Sequence, residues 1–125
     1  MILAFKQQFV EPILSGRKIH TLQEDLAGRW ETGNNIQMAT GVGTKNYNCF
    51  MKSECVSTQD ISIIWEDDKL MPSIIIGGYL FSYGFYGILG RNDGFTGAMG
   101  FLKWFNKDFH GKIIHWTDFK YGSWG

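Results

Sequence analysis

The spacing of apolar positions changes several times along the chain, and each change marks an element. Residues 2–5, Ile2-Leu3-Ala4-Phe5, form an unbroken apolar run, the pattern of a buried strand. From residue 8 the spacing turns helical. Phe9 with Ile13, and Val10 with Leu14, lie four residues apart, which places them on one stripe of a helix over residues 8–15. Pro12 has no N–H to donate, so it fits only in the first turn and keeps this helix short. Glu11 suits the positive end of the helix dipole, and Gly16 suits the left-handed position that closes the helix. Residues 17–35 show no period; Gly28, Gly33 and Asn34-Asn35 mark turns there. Alternation by two then returns in three stretches, residues 35–40, 47–56 and 61–66, the last after a turn at Ser57-Thr58-Gln59-Asp60. Residues 73–81 are apolar on both faces, as in a central strand, and Gly77-Gly78 gives it a bulge or bend. Residues 82–90 are rich in aromatic residues and glycine, with room for one helical turn. A second helix is expected over residues 95–106, with Phe95, Met99, Leu102 and Phe105 on one face. A last strand falls at residues 112–119, and residues 120–125 read as a loose aromatic tail.

Strand, helix, strands, helix, strand is an α+β order. Many short strands with glycine bends favour a curled or closed sheet. At 125 residues the chain makes one domain, residues 1–125. An apolar share of 44% and an aromatic share of 16% exclude disorder and call for a dense aromatic interior. Basic and acidic residues balance at 12 each, which excludes a broad basic surface gripping long nucleic acid. A small pocket for one nucleotide remains compatible with that balance. No apolar run approaches the ~20 residues of a membrane span and nothing resembles a signal peptide, so a cytoplasmic protein without a membrane partner is expected. Cys49 and Cys55 read as members of one strand, about 20 Å apart, and therefore as two free thiols. The oligomeric state is left open.

The densest chemistry lies just past the first helix, where Gly16 precedes Arg17, Lys18 and Thr21. In a regular strand Lys18 and Thr21 would face opposite sides, three residues apart. In an irregular turn both can point into one cavity. A threonine hydroxyl becomes a nucleophile only when a base removes its proton. Lysine can be that base if burial or a nearby cation lowers its pKa from ~10.4, and Arg17 pushes in that direction. The plainer alternative makes Lys18 a solvated post-helix cation and Thr21 an ordinary strand residue. Asp93 is the best candidate carboxylate, and its plainer alternative is an N-cap for the helix that follows. An ionised Asp93 near Lys18 would raise the lysine pKa, so the two must share a proton or act in different steps. His20, His110 and His115 lack metal-ligand spacing, and two cysteines on one strand complete no zinc site. His115 reads as a satisfied core histidine. Gly41-Val42-Gly43-Thr44-Lys45 lacks the spacing of a phosphate loop. Neither a metal nor a cofactor is expected.

Gly16, Lys18 and Thr21 resemble the GxKxxTxR signature of the ASCH family, a PUA-like group of small domains tied to RNA and modified nucleosides. Gln23 stands where that signature has arginine. The resemblance extends over almost the whole chain, taking in the opening strand, the Asn92-Asp93-Gly94-Phe95 turn and the Ile113-Ile114-His115-Trp116 run. It implies a PUA-like small β-barrel of about six strands with two or three flanking helices. It also implies binding of RNA or a modified nucleoside in a small pocket near the motif. The alternative it implies is an amidohydrolase acting on an N-acylated nucleobase such as N4-acetylcytidine. Lys18 would then accept a proton, Thr21 would attack, and Asp93 would stand for the family's glutamate proton donor, one methylene shorter. Gln23 offers neutral hydrogen bonds in place of a phosphate clamp and suits the edge of a base. Arg17 and Gln23 are ligand-binding candidates, and Trp30 or Tyr86 could supply a stacking face. A third reading, an interaction module without nucleic acid, rests on the neutral charge and the aromatic tail.

Overall fold

A computed structural model describes residues 1–122, and the end of the expected tail, residues 123–125, lies outside them. Eight strands and three helices follow in the order β1 (Ile2–Ala4), α1 (Val10–Leu14), β2 (His20–Gln23), β3 (Asn35–Thr40), β4 (Asn48–Glu54), β5 (Ser57–Ile64), β6 (Ser73–Ile76), β7 (Tyr79–Leu80), α2 (Tyr86–Asn92), α3 (Ala98–Trp104) and β8 (Phe109–His115) among the described residues. Short 3₁₀ turns at Gln7–Phe9 and Tyr83–Phe85 lead into α1 and α2. The class is α+β.

The strands form two sheets, ordered β1-β3-β4 and β2-β8-β5-β6-β7. In the first, β1 runs parallel to β3, and β4 returns antiparallel. All pairs in the second are antiparallel. Among the described residues no ladder closes the two sheets into one barrel. They meet instead at the corner after β4. Cys55 exchanges backbone hydrogen bonds with Gly33 and Asn34 at 2.8 Å each, and Val56 N–H donates to His115 O at 2.8 Å. Leu3, Ile36 and Met38 from the first sheet share one core with Ile61, Ile63, Ile74, Ile113 and Ile114 from the second.

Several elements differ from the sequence reading, each for a physical reason. Residues 57–60 are strand, not turn, because their backbone pairs with β8 while Gln59 finds a partner for each end of its amide. The predicted central strand at residues 73–81 is a hairpin. Gly77 and Gly78 have φ of 60° and 85°, the left-handed pair that a two-residue turn matched to sheet twist requires. The helix expected from residue 95 starts at Ala98, and α2 precedes it. Helix α2 escaped the pattern because Gly87 and Gly90 dilute its propensity. Gly90 is needed there, since a Cβ would collide with the Gly97 carbonyl. Met99 points outward, and the buried residues of α3 are Phe101 and Leu102. The last strand lies earlier than predicted, at Phe109–His115. Strand β4 ends at Glu54, so Cys55 sits in the corner, beyond the strand that Cys49 occupies; both thiols are free. Tyr121, placed in the tail by sequence, is buried. Among the described residues no helix is long and apolar enough to cross a membrane.

Candidate functional site

The site begins with the way α1 stops. Gly16 takes φ +83°, and Lys18 N–H then donates back to Pro12 O at 2.8 Å, turning the chain across the helix end. Ile19 N–H donates to Asn92 O at 2.9 Å, so the same turn is fixed to the end of α2. Strand β2 starts one residue later, at His20. Lys18 therefore comes from the turn and Thr21 from the strand, which removes the constraint that residues three apart in a strand face opposite sides.

Asp93 is delivered by the C-terminal end of α2, with its N–H on Leu89 O at 3.1 Å. It is not the N-cap of the next helix: that place belongs to Gly97, with no side-chain cap. Instead, the Asp93 carboxylate turns inward. Lys18 Nζ donates to Asp93 O at 2.6 Å and to Asp93 Oδ1 at 3.2 Å. Both side chains are buried, 2% and 4% exposed. Gly94 makes this approach possible. Its φ is +96°, and a Cβ there would lie 2.8 Å from Lys18 Cδ.

Burial pulls the Lys18 pKa below its ordinary value, while the charge and hydrogen bond of Asp93 act the other way. The Lys18 ammonium also lies 4.9 Å from the centre of the Phe9 ring and 5.6 Å from that of Phe5. Aromatic faces attract a desolvated cation.

A second donor reaches Asp93 Oδ1 from the protein interior. His20 Nδ1 stands 3.1 Å from it, and His20 Nε2 stands 2.7 Å from the Tyr121 hydroxyl. Asn92 Nδ2 donates to the same hydroxyl oxygen at 3.1 Å. The partners assign the protons. A carboxylate accepts, so His20 donates from Nδ1; its Nε2 then accepts from Tyr121 O–H. Burial lowers the His20 pKa, opposed by the hydrogen bond and charge of Asp93. Burial likewise raises that of Tyr121. His115 packs edge-on against His20 with ring centres 5.3 Å apart. Its Nε2–H donates to Gln59 Oε1 at 2.9 Å, and its Nδ1 is buried with no partner among the described residues. Burial first, and then the neighbouring His20 and Lys120, which oppose a second proton there, push its pKa down to about 3.

On the outer side of Lys18 is a cavity of about 220 Å³. Lys18, Thr21, Gln23 and Asp93 supply its polar side, and Phe5, Phe9, Phe95, Trp104 and Phe105 its aromatic side. Lys6 stands at the edge, with its ammonium 5.4 Å from the centre of the Trp104 ring. Thr21 is 7% exposed, and its hydroxyl makes no hydrogen bond among the described residues. Lys18 uses two hydrogen bonds of a possible three. One ammonium N–H and one hydroxyl therefore remain for a guest, opposite flat aromatic faces.

The structure thus brings Lys18, Thr21, Gln23 and Asp93 together. It does not bring Arg17, Trp30 or Tyr86 to them. Arg17 is half exposed, donates to Phe95 O at 3.3 Å and faces Glu11 at 3.8 Å. Trp30 lines a separate recess beside Asp25. Tyr86 is 1% exposed, so no base can stack on it; its hydroxyl donates to Pro72 O at 2.7 Å, and burial pushes its pKa up to about 12. Of the aromatic rings that line the cavity, Trp104 is the exposed one, at 43%, and offers the stacking face; Phe9 and Phe95 are buried behind it. Sequence reasoning also missed His20 and Tyr121. Tyr121 lies 101 positions from His20, and no local spacing announces that contact. Among the described residues no group of three or more His, Cys, Asp or Glu side chains is arranged to hold a metal ion. Comparison with protein-family models, with curated proteins and with solved structures returns no match.

Proposed function

We propose that this chain is an ASCH-type, PUA-like domain that takes the base of a modified nucleoside, free or within RNA, into the Lys18 cavity. The observation that carries this reading is the buried Lys18–Asp93 pair beside the partnerless Thr21 hydroxyl, facing an aromatic wall. A base needs flat apolar faces for its ring and a few donors for its carbonyl edge, and the cavity offers both. Its volume of about 220 Å³ lies below the ~300–1,000 Å³ of sites for drug-sized ligands. That size suits one base with part of its sugar. Gln23 lines the same cavity and can read a base edge with neutral hydrogen bonds. The balanced charge speaks for one nucleoside unit rather than a long strand.

A second reading, hydrolysis of an N-acyl base, is favoured by the lowered Lys18 pKa next to a free hydroxyl. Neutral Lys18 would accept the Thr21 proton as Oγ1 attacks the acyl carbonyl. The N4 amine would leave with a proton returned through the Lys18–Asp93 pair, and water would hydrolyse the acyl-threonine. One experiment addresses both readings. N4-acetylcytidine and cytidine are titrated into labelled protein, with acetate followed by proton NMR. Binding predicts amide shifts centred on residues 18–23 and 93–95, a preference for the acetylated nucleoside, and a larger affinity loss for Lys18→Met than for Thr21→Val. Hydrolysis predicts acetate release that falls ~10² or more in each single variant, with little further loss in the double. No amide response at millimolar nucleoside overturns the proposal.

A further inference from the structure

The geometry points to His20 and Tyr121 as positioning residues of the Lys18 cavity: a hydroxyl near the C-terminal end of the described chain sets, through one imidazole, where the Lys18 ammonium stands. The inference rests on the reading of that cavity as a ligand site. Neither residue lines it. His20 is fully buried and Tyr121 is 3% exposed.

Asp93 Oδ1 takes donors from two sides, Lys18 Nζ at 3.2 Å and His20 Nδ1 at 3.1 Å. The histidine therefore fixes the turn of the carboxylate about its own bond, and with it one of the two pulls on Lys18, the other being the 2.6 Å bond to the Asp93 carbonyl. The direction of the chain of bonds is set from its far end. Asn92 Nδ2 can only donate, so the Tyr121 oxygen accepts at 3.1 Å and its own hydrogen goes to His20 Nε2 at 2.7 Å. That commits the neutral imidazole to carrying its proton on Nδ1, facing Asp93. The other tautomer would turn a lone pair toward the carboxylate. Tyr121 is in turn held by its backbone: Gln59 Oε1 accepts its N–H at 2.9 Å, and Gln59 Nε2 donates to its carbonyl at 2.7 Å. The segment after β8 is thus strapped to β5 in the register that places one hydroxyl on one ring nitrogen.

The groups around Lys18 decide what losing this relay does. Asp93 from α2 is its counter-charge, and neutral His20 from β2 shares the same oxygen. Phe5 and Phe9 face it from the other side, and Lys6 stands at the rim. His115 from β8 meets His20, not Lys18. With the His20 donor gone, Asp93 keeps its full negative potential for Lys18. The lysine then holds its proton more tightly and leans toward the carboxylate, away from a guest.

The test uses three variants of the whole chain. Tyr121→Phe deletes only the hydroxyl. His20→Leu deletes both links, and His20→Asn keeps a donor where Nδ1 stood. The first readout is the titration of Lys18 followed by the 13C resonance of its Cε, which needs no ligand. His20→Leu is expected to move it upward, Tyr121→Phe to move it the same way by less because Asp93 still orients the ring, and His20→Asn to restore the parent value. The second is the affinity for N4-acetylcytidine, expected to fall about fivefold or more in His20→Leu, less in Tyr121→Phe, and to stay near parental in His20→Asn. A merely structural role would lower the melting temperature and leave the titration in place. If His20→Leu does not fold, Tyr121→Phe decides, because its ring packing is intact. An unchanged Lys18 titration in folded Tyr121→Phe overturns the relay. Failure of the parent to bind N4-acetylcytidine counts against the proposed function alone, and the titration still decides the relay.

Discussion

Asp93→Asn removes one negative charge and changes almost no shape, so it isolates the electrostatics of the buried pair. Lys18 Nζ and Asp93 Oδ1 are 3.2 Å apart and both nearly out of water. At an effective dielectric constant of about 20 their attraction is roughly 5 kcal/mol. Removing one partner of a buried pair costs ~3–5 kcal/mol, because the other charge stays behind without compensation. Here the asparagine Oδ1 still accepts from Lys18 and the Asp93 backbone carbonyl stays in place, which puts the expected loss near ~3 kcal/mol. For a domain of this size that corresponds to a melting temperature lower by about 12 °C. The pH dependence carries a sign. In the variant burial acts on Lys18 with no counter-charge, so its folded pKa drops further below the unfolded value of ~10.4. Between those two values the unfolded chain binds more protons than the folded one, so stability rises with pH. The deficit should therefore be largest near neutrality and shrink toward pH 10. Denaturant unfolding of the parent, Asp93→Asn, Lys18→Met and the double variant at several pH values measures it. The double variant, with no buried charge left, should be more stable than additivity allows by about 2 kcal/mol or more. A loss under about 1 kcal/mol at pH 7 that does not vary with pH would refute the reasoning.

Gly94→Ala should destabilise by ~2 kcal/mol or more and weaken nucleoside binding, since its φ is +96° and the new Cβ meets Lys18 Cδ at 2.8 Å; thermal unfolding and titration check this. Stability should fall as pH drops below about 6.5, because the unfolded chain protonates histidines that the folded chain keeps neutral, His115 down to about 3. His115→Gln should flatten that slope in acid titrations followed by circular dichroism. Gly77→Asn should be tolerated within about 1 kcal/mol and Gly77→Val should not, as the residue takes φ +60° in a two-residue turn; equilibrium unfolding separates them. A thiol reagent should find two reactive groups per chain in denatured, unreduced protein, since Cys49 and Cys55 are both free.

The sequence by itself determined the features whose causes are local. The helical stripe of Phe9 and Ile13, the proline in the first turn and the glycine at the end are written within ten residues, and α1 forms there. Alternation by two placed β3, β4 and the second half of β5, because one buried face imposes that period on any strand, and an apolar run placed β6. The short motif also singled out Lys18 and Thr21, which the turn after α1 carries to one cavity. Tertiary structure decided everything that depends on a distant partner. Asp93 reads locally as a helix cap, and only the approach of a turn 75 positions earlier makes it the counter-charge of Lys18. Tyr86 is a stacking candidate by sequence and Trp104 is not, yet packing buries Tyr86 against Phe81 and leaves Trp104 beside the cavity. Residues 57–60 look like a turn until β8 offers its backbone. Periodicity records which face of an element is buried, but not against what. A buried charge or hydroxyl takes its role from whichever group the fold places within hydrogen-bond reach, and that group is chosen by the arrangement of whole elements.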